Sequence, residues 1–440
     1  MRAHPADTPE PGILVVRRLA PYRLDVDIVS QRDLVNRLGA LPGAEPRVVV
    51  SGNYATPVEL LALFDSAVDG YRLFVLNAQR DMPVRPGVVP ETPFVGPGMR
   101  GVDVLEYLPI RLSLVPKLFE EARAPDVVLL HTSGVRDGRV SLGIEVNILP
   151  AAIERTRARG GLVVAQLNPK MPYTMGDAEV DCDRIDLAVE IEADLPCPLH
   201  RPVTDVTEAI AEHVASLVRD GSTLQLGIGE VPDSVVGLLK ARRSLGVWSE
   251  VISDGVLELD RAGALDATRP VTASFLFGSD ELYRWVDGNA RIHMMRTEFV
   301  NDPARIAAHP SMCSVNGALQ VDLYAQANAS YVNGAIFSGF GGQPDFVVGA
   351  IHSAGGHAII ALPSWHAKSG TSTIVAQLTT PVTSFQHSAV ITDQGCARLF
   401  GRSQRAQARL LIEEAAHPDA REALWEAVRG RGSKTSSSTQ

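Results

Sequence analysis

Two glycine-rich stretches are placed where a backbone could hold an anion or a developing oxyanion. The first, Gly227-Ile228-Gly229-Glu230-Val231-Pro232, follows the apolar run Leu224-Gln225-Leu226 and precedes a helix-like stretch from Asp233 to Leu239. A strand, a glycine turn and a helix start leave backbone N–H groups free for a phosphate or an oxyanion. The second runs from Ser338 to Phe346 and contains Gly339, Gly341, Gly342 and Gln343. Such a cluster permits positive φ and close approach of a ligand, and it equally suits a tight turn. The carboxylates near these loops are Glu230, Asp233, Glu250, Asp254, Asp322 and Asp345. Each has a side chain able to act as base or nucleophile, and each is also a common cap or turn former. Four histidines, His352, His357, His366 and His387, fit no metal-ligand spacing, so no metal centre is expected. Neither a G-x-S-x-G elbow nor a G-x-x-x-x-G-K-[ST] loop occurs, which removes the main cues for a serine hydrolase or a P-loop enzyme.

The elements that must position these groups read as alternating strands and helices. Short β-rich runs at Val48–Val50, Leu73–Leu76, Val127–Leu130, Leu162–Ala165, Leu224–Leu226, Ala358–Leu362 and Ala389–Ile391 are separated by segments of helical period. This pattern predicts an α/β fold with mostly parallel sheets and ligands at the carboxyl ends of strands. Asp205 and Glu208 are spaced like a capping pair for a helix whose apolar stripe ends at Gly221. The proline-rich stretch 193–202 reads as a linker, giving an N-terminal unit 13–195 and a C-terminal unit 196–429. Residues 1–12 and 430–440 are expected to be disordered.

With 440 residues, 45% hydrophobic and 21% charged, the chain has the balance of an ordinary globular protein. A net charge of −10 argues against nucleic acid or an anionic lipid surface as partner, so an anionic ligand must be held locally. Cys182, Cys197, Cys313 and Cys396 lie far apart with no secretory segment upstream, which predicts a reduced, cytoplasmic protein. From Leu323 to Thr392 only Asp345 and Lys368 carry charge, but the Gly, Pro, Asn and His content rules out membrane spans there. That segment should supply buried parallel strands and the loops at their ends.

From about residue 48 to 424 the chain resembles the acetyl-CoA hydrolase/transferase family, which includes 4-hydroxybutyrate and acetate CoA-transferases. The blocks that carry the resemblance are Asn168-Pro-Lys-Met-Pro-Tyr-Thr-Met-Gly-Asp177, Asp220–Gly229, Ser253-Asp-Gly255, Phe299–Pro303, Gly339–Phe346 and Ala361-Leu-Pro363. The resemblance implies two CoA-transferase-type (NagB/RpiA-like) α/β domains with the active site in the interdomain cleft. It implies ping-pong transfer of CoA between a short-chain acyl-CoA and a carboxylate such as acetate through a glutamyl-CoA thioester. No bound cofactor is implied beyond coenzyme A as substrate, and relatives are commonly homodimers. CoA-binding positions carried over are Gly227, Gly229, Gly339, Gly341, Gly342 and Gln343. The family's nucleophilic glutamate is expected in a block matching Asn316-Gly-Ala-Leu-Gln-Val-Asp322, which puts Gln320 at its position. Thr392–Ala397 and Thr132–Gly138 also depart from the family pattern. Three readings follow: a transferase in which Glu230 replaces the nucleophile, a hydrolase in which Gln320 orients water beside Glu230 or Asp322, and an acyl-CoA-binding protein without turnover.

Overall fold

The computed structural model describes residues 26–41, 45–79, 81–198, 202–382, 384 and 386–434. Two sheets organise the chain. The first has seven strands, all parallel to their neighbours, in the order Leu187–Glu190, Leu162–Leu167, Val127–Thr132, Arg47–Val50, Tyr71–Val75, Val88–Thr92 and Glu106–Tyr107. Its third strand, Val127–Thr132, is buried along its whole length, as expected of a strand covered on both faces. The second sheet has nine strands. Its middle runs Met312–Gly317, Thr223–Leu226, Gly246–Trp248, Val271–Ala273 and Ile292–Met294, all parallel. His357–Ala361 and Ala389–Thr392 extend it on one side, and Gly395–Arg398 closes that edge antiparallel.

The other edge is formed by Met175–Gly176, which comes from the first half of the sequence and pairs with His293 and Met294. The Asn168–Asp177 block therefore ties the two halves together. Asp177 reinforces this by accepting from the Arg296 backbone N–H at 3.0 Å. One apolar core runs continuously from Val49 and Phe74 of the first sheet to Leu224, Val271 and Ile359 of the second.

The predicted α/β alternation is found, with local corrections. The helix Asp205–Ala215 is capped by Thr204, whose hydroxyl accepts from the Thr207 N–H, so the capping pair is Thr204/Thr207 and not Asp205/Glu208. It stops at Ala215, ahead of Gly221. Among the described residues between 323 and 392 only His357–Ala361 and Ala389–Thr392 join the large sheet, while the helix Gln343–His352 and two short hairpins, 331–336 and 365–372, lie outside it. Residues 193–198 and 202 have no helix or strand. The helix Pro418–Lys434 runs through the first five residues of the expected disordered tail; 1–12 and 435–440 lie outside the described residues. Among the described residues no helix is long and apolar enough to cross a membrane.

Candidate active site

Adjacent parallel strands of the second sheet end side by side at the interface with the first. Thr223–Leu226 runs into Gly227, Gly246–Trp248 into Ser249 and Glu250, and Val271–Ala273 into Ser274. Ser249 Oγ donates to the Leu226 carbonyl at 3.2 Å, and the Glu250 carbonyl accepts from the N–H groups of Ser274 and Phe275 at 2.9 and 3.0 Å. The backbone at Glu250 is therefore fixed from both sides. Its Oε2 accepts from Nδ2 of buried Asn301 at 2.9 Å, while part of the residue stays open to solvent. Burial raises the Glu250 carboxyl to about 7, and the like charge of Asp345 adds to the rise.

The second glycine cluster closes over this carboxylate. A Cβ at position 342 would stand 1.7 Å from Glu250 Oε2 and 2.2 Å from Asn301 Nδ2, so only glycine leaves room. A Cβ at 339 would meet the Pro93 carbonyl at 2.7 Å, and Gly341, at φ 50°, lies against the Phe94 ring. Those contacts come from the first half of the chain, as do the hydrogen bonds from Val95 N–H to the Ser338 carbonyl (2.7 Å) and from Leu112 N–H to the Gly341 carbonyl (3.0 Å). Asp345 completes the clamp by accepting from Ser113 N–H at 3.2 Å and Ser113 Oγ at 2.8 Å, with Arg111 at 3.5 Å. Burial pushes the Asp345 carboxyl up to about 6. The helix Gln343–His352 starts here, with Gln343 N–H donating to the Phe340 carbonyl at 3.1 Å, and the positive end of its dipole lies beside the two carboxylates.

The other residues named from sequence lie on separate loops, strands and helix starts. Gln343 Nε2 donates to the Gly317 carbonyl at 3.0 Å, joining the glycine loop to the Asn316–Asp322 block. Gln320 is half-buried on the strand Gln320–Asp322 and pairs with Asn328. Asn328 lines a cavity of about 160 Å³ together with Tyr107, Tyr331, Phe340 and Gln343. Asp322 is occupied by loop amides, accepting from the N–H groups of Tyr324, Gln326 and Leu378. Gly227 and Gly229 lead into the helix Glu230–Leu239, and Glu230 is its first residue. Gly229 sits at φ 116°. Among the described residues no group of three or more His, Cys, Asp or Glu side chains could hold a metal ion.

A second buried carboxylate lies on the first-half side. Glu145, 1% exposed, accepts from Asn53 Nδ2 at 2.7 Å and Asn147 Nδ2 at 3.0 Å. Its backbone bridges Phe275, whose N–H binds the Glu250 carbonyl.

The remaining segments named from sequence lie on turns and ties. Thr392–Ala397 spans a hairpin in which Asp393 accepts from Ser364 N–H and Oγ. Asn168 Nδ2 contacts Nε2 of buried His131 at 3.0 Å and donates to the Ala193 carbonyl at 2.8 Å, fixing the start of the 193–202 segment.

A glutamate at the end of a parallel strand, roofed by a glycine loop that the other half of the chain clamps in place, defines an α/β protein with a carboxylate-centred interdomain site. The chain belongs to the acetyl-CoA hydrolase/transferase family: residues 101–199 match its N-terminal domain and residues 278–428 its C-terminal domain. A 4-hydroxybutyrate coenzyme A transferase of Clostridium kluyveri is 39% identical over 339 residues, covering 74% of this chain and 78% of that one. An acetyl-CoA hydrolase of Saccharomyces cerevisiae is 32% identical over 257 residues, 54% of this chain and 48% of its own. Among solved structures, RipA from Yersinia pestis superposes with a TM-score of 0.85 at 27% identity, covering 92% of this chain and 98% of RipA. A 4-hydroxybutyrate CoA-transferase from Porphyromonas gingivalis gives 0.75 at 30% identity, with 92% and 98% covered.

Sequence reasoning placed Glu250 among six carboxylates without preferring it. The signal available was its position directly after the apolar strand Gly246–Trp248 and just ahead of the Ser253-Asp-Gly255 block, at a strand's carboxyl end.

Proposed function

We propose that this chain moves CoA between a short-chain acyl-CoA and a carboxylate such as acetate, with Glu250 as nucleophile, in the cleft between an N-terminal unit (13–195) and a C-terminal unit (196–429). One observation carries the reading: Glu250 is the carboxylate in contact with the Gly339–Gly342 loop, fixed at its backbone and partly open to solvent. With Glu250 in that place, Gln320 need not supply the nucleophile and Glu230 need not replace it.

Ionised Glu250 attacks the acyl-CoA carbonyl carbon, the C–S bond breaks, and CoA leaves as thiolate from an acyl-glutamyl anhydride. The thiolate then attacks the glutamyl carbonyl, releasing the first carboxylate and leaving a Glu250–CoA thioester. The acceptor carboxylate attacks that thioester, re-forming an anhydride, and CoA thiolate attacks its acyl carbonyl to release the new acyl-CoA and free Glu250. Each tetrahedral step puts negative charge on a carbonyl oxygen. The backbone N–H groups of the Gly339–Gly342 loop are the donors we assign to that charge, with Gly227, Gly229, Gly339, Gly341, Gly342 and Gln343 contacting CoA. A carboxyl raised to about 7 is a more basic attacking group than an exposed glutamate. Cytoplasmic residence and a homodimer belong to the same proposal; the former is supported by four cysteines without a disulfide among them.

The test is incubation with acetyl-CoA or succinyl-CoA, with and without acetate, then borohydride trapping and peptide mapping. Reduction at Glu250 together with acyl exchange is the expected result. A label on another residue overturns the assignment, and thiol release independent of acceptor makes the chain a hydrolase.

A further inference from the structure

We propose that one buried water molecule is held behind Glu250 by Asn147, Ser274, Thr297 and Asn301, and that it fixes the Asn301 amide against the Glu250 carboxylate. Its effect on turnover rests on Glu250 as the reacting group, whereas the water site itself does not. Around Glu250, Asn147 Oδ1, Ser274 Oγ, Thr297 Oγ1 and Asn301 Oδ1 have no hydrogen-bond partner among the described residues. All four residues are 0% exposed. Buried polar groups are paired in the great majority of cases, so four such oxygens in one neighbourhood require a shared partner.

The backbone brings these groups together. Ser274 N–H donates to the Glu250 carbonyl at 2.9 Å, and the Ser274 carbonyl accepts from Asn147 N–H at 3.2 Å. The Asn147 carbonyl accepts from Thr297 N–H at 2.9 Å, and the Thr297 carbonyl from Asn301 N–H at 2.8 Å. Thr297 and Asn301 are four residues apart at the two ends of the helix Thr297–Val300, a spacing that sets their side chains on one face. None of the four oxygens bonds another, so they stand further apart than a direct hydrogen bond. Both amides are fixed in orientation: Asn147 Nδ2 donates to Glu145 Oε1 at 3.0 Å, and Asn301 Nδ2 to Glu250 Oε2 at 2.9 Å. Turning either amide over would set its oxygen against a carboxyl oxygen, so each Oδ1 stays on the side away from its carboxylate. The two Oδ1 atoms accept and the two hydroxyls can donate, which is the complement of the hydrogens and lone pairs of a single water. Such a water joins the amide that holds Glu145 to the amide that holds Glu250.

Ser274 and Thr297 are thus positioning residues that act through the water and Asn301 and touch no reacting atom. Thr297→Val keeps the shape and removes the hydroxyl, and the sign of its effect decides the matter. Deleting a buried hydroxyl without a partner raises the melting temperature, whereas deleting one that is bonded to water lowers it. The expected result is a lower melting temperature with kcat down about tenfold, the equivalent of one hydrogen bond, at unchanged KM for acyl-CoA. Thr297→Ser should restore both. A melting temperature unchanged or raised in Thr297→Val overturns the proposal. Thr297→Val combined with Ser274→Ala should lose less stability than the two single losses summed, because the second change finds the water already gone. Additive losses overturn the proposal, and so does activity that requires Na⁺ or K⁺, which would place a cation among the four oxygens.

If Thr297→Val does not fold, a high-resolution crystal structure of the wild-type protein gives the answer. Solvent density within hydrogen-bond distance of all four oxygens is expected; a dry site overturns the proposal. Borohydride mapping separates the two readings. A label absent from Glu250 removes the effect on turnover, while the melting temperatures still decide the water.

Discussion

Gly342 and Glu250 stand so close that a single methyl group at residue 342 would overlap the carboxylate, 1.7 Å from Oε2. The Gly342 backbone is at φ −88°, which any residue adopts, so glycine is needed there for space and not for conformation. Gly342→Ala should push Glu250 or the loop aside. A displacement near an ångström at a reacting group costs about 10²-fold. Steady-state kcat/KM with acetyl-CoA checks this, with a loss in kcat that exceeds any fall in thermal stability.

Removing the Glu250 charge should be more severe. Glu250→Gln keeps the Asn301 contact but cannot form an anhydride, and losing a nucleophile costs several powers of ten, about 10⁴ or more. Gln320→Glu introduced into that variant should not restore exchange. A radiolabelled acetate exchange assay reads both, and restoration by the residue 320 carboxylate would return the nucleophile to the Asn316–Asp322 block.

The pH dependence has a definite sign. Glu250 must be ionised to attack, so kcat/KM should rise with pH through about 7, falling about tenfold per unit on the acid side. Stability runs the other way. Glu145 has a folded value of about 8 against an ordinary 4.5, so the native state binds the proton more tightly than the unfolded chain. Its contribution is fully present below 4.5 and is lost as pH rises through about 8. Melting temperature across that window should fall less steeply in Glu145→Gln than in wild type.

Asp345 holds the loop to the first half of the chain through Ser113 and Arg111. Asp345→Asn keeps the size but replaces one acceptor oxygen with a donor facing Ser113. The loop should loosen, raising KM for acyl-CoA by about tenfold, the equivalent of one charge-assisted hydrogen bond. Initial-rate kinetics against acyl-CoA and carboxylate separately checks that the effect falls on the CoA side.

The linear order of residues determined the α/β class, because strands buried on both faces must be apolar runs and crossover helices must be amphipathic: Val127–Thr132 and Leu162–Leu167 are legible for that reason. It also marked both glycine loops, since Gly341 needs a left-handed turn and Gly342 needs room, and glycine alone meets both demands. What it could not decide was which carboxylate those loops serve. Glu250 and Gly342 are far apart in the chain and meet only because the sheet order sets Gly246–Trp248 beside Thr223–Leu226 and the first half clamps the loop through Pro93, Phe94, Leu112 and Ser113. The Asn168–Asp177 block was legible as a signature but not as a joint, because its pairing with His293 and Met294 exists only in the assembled sheet. Ionisation was equally out of reach: Glu145 and Glu250 read as ordinary glutamates in sequence, and only desolvation, with the charge of Glu250 acting on Glu145 and that of Asp345 on Glu250, all set by tertiary packing, lifts their carboxyls toward neutral pH.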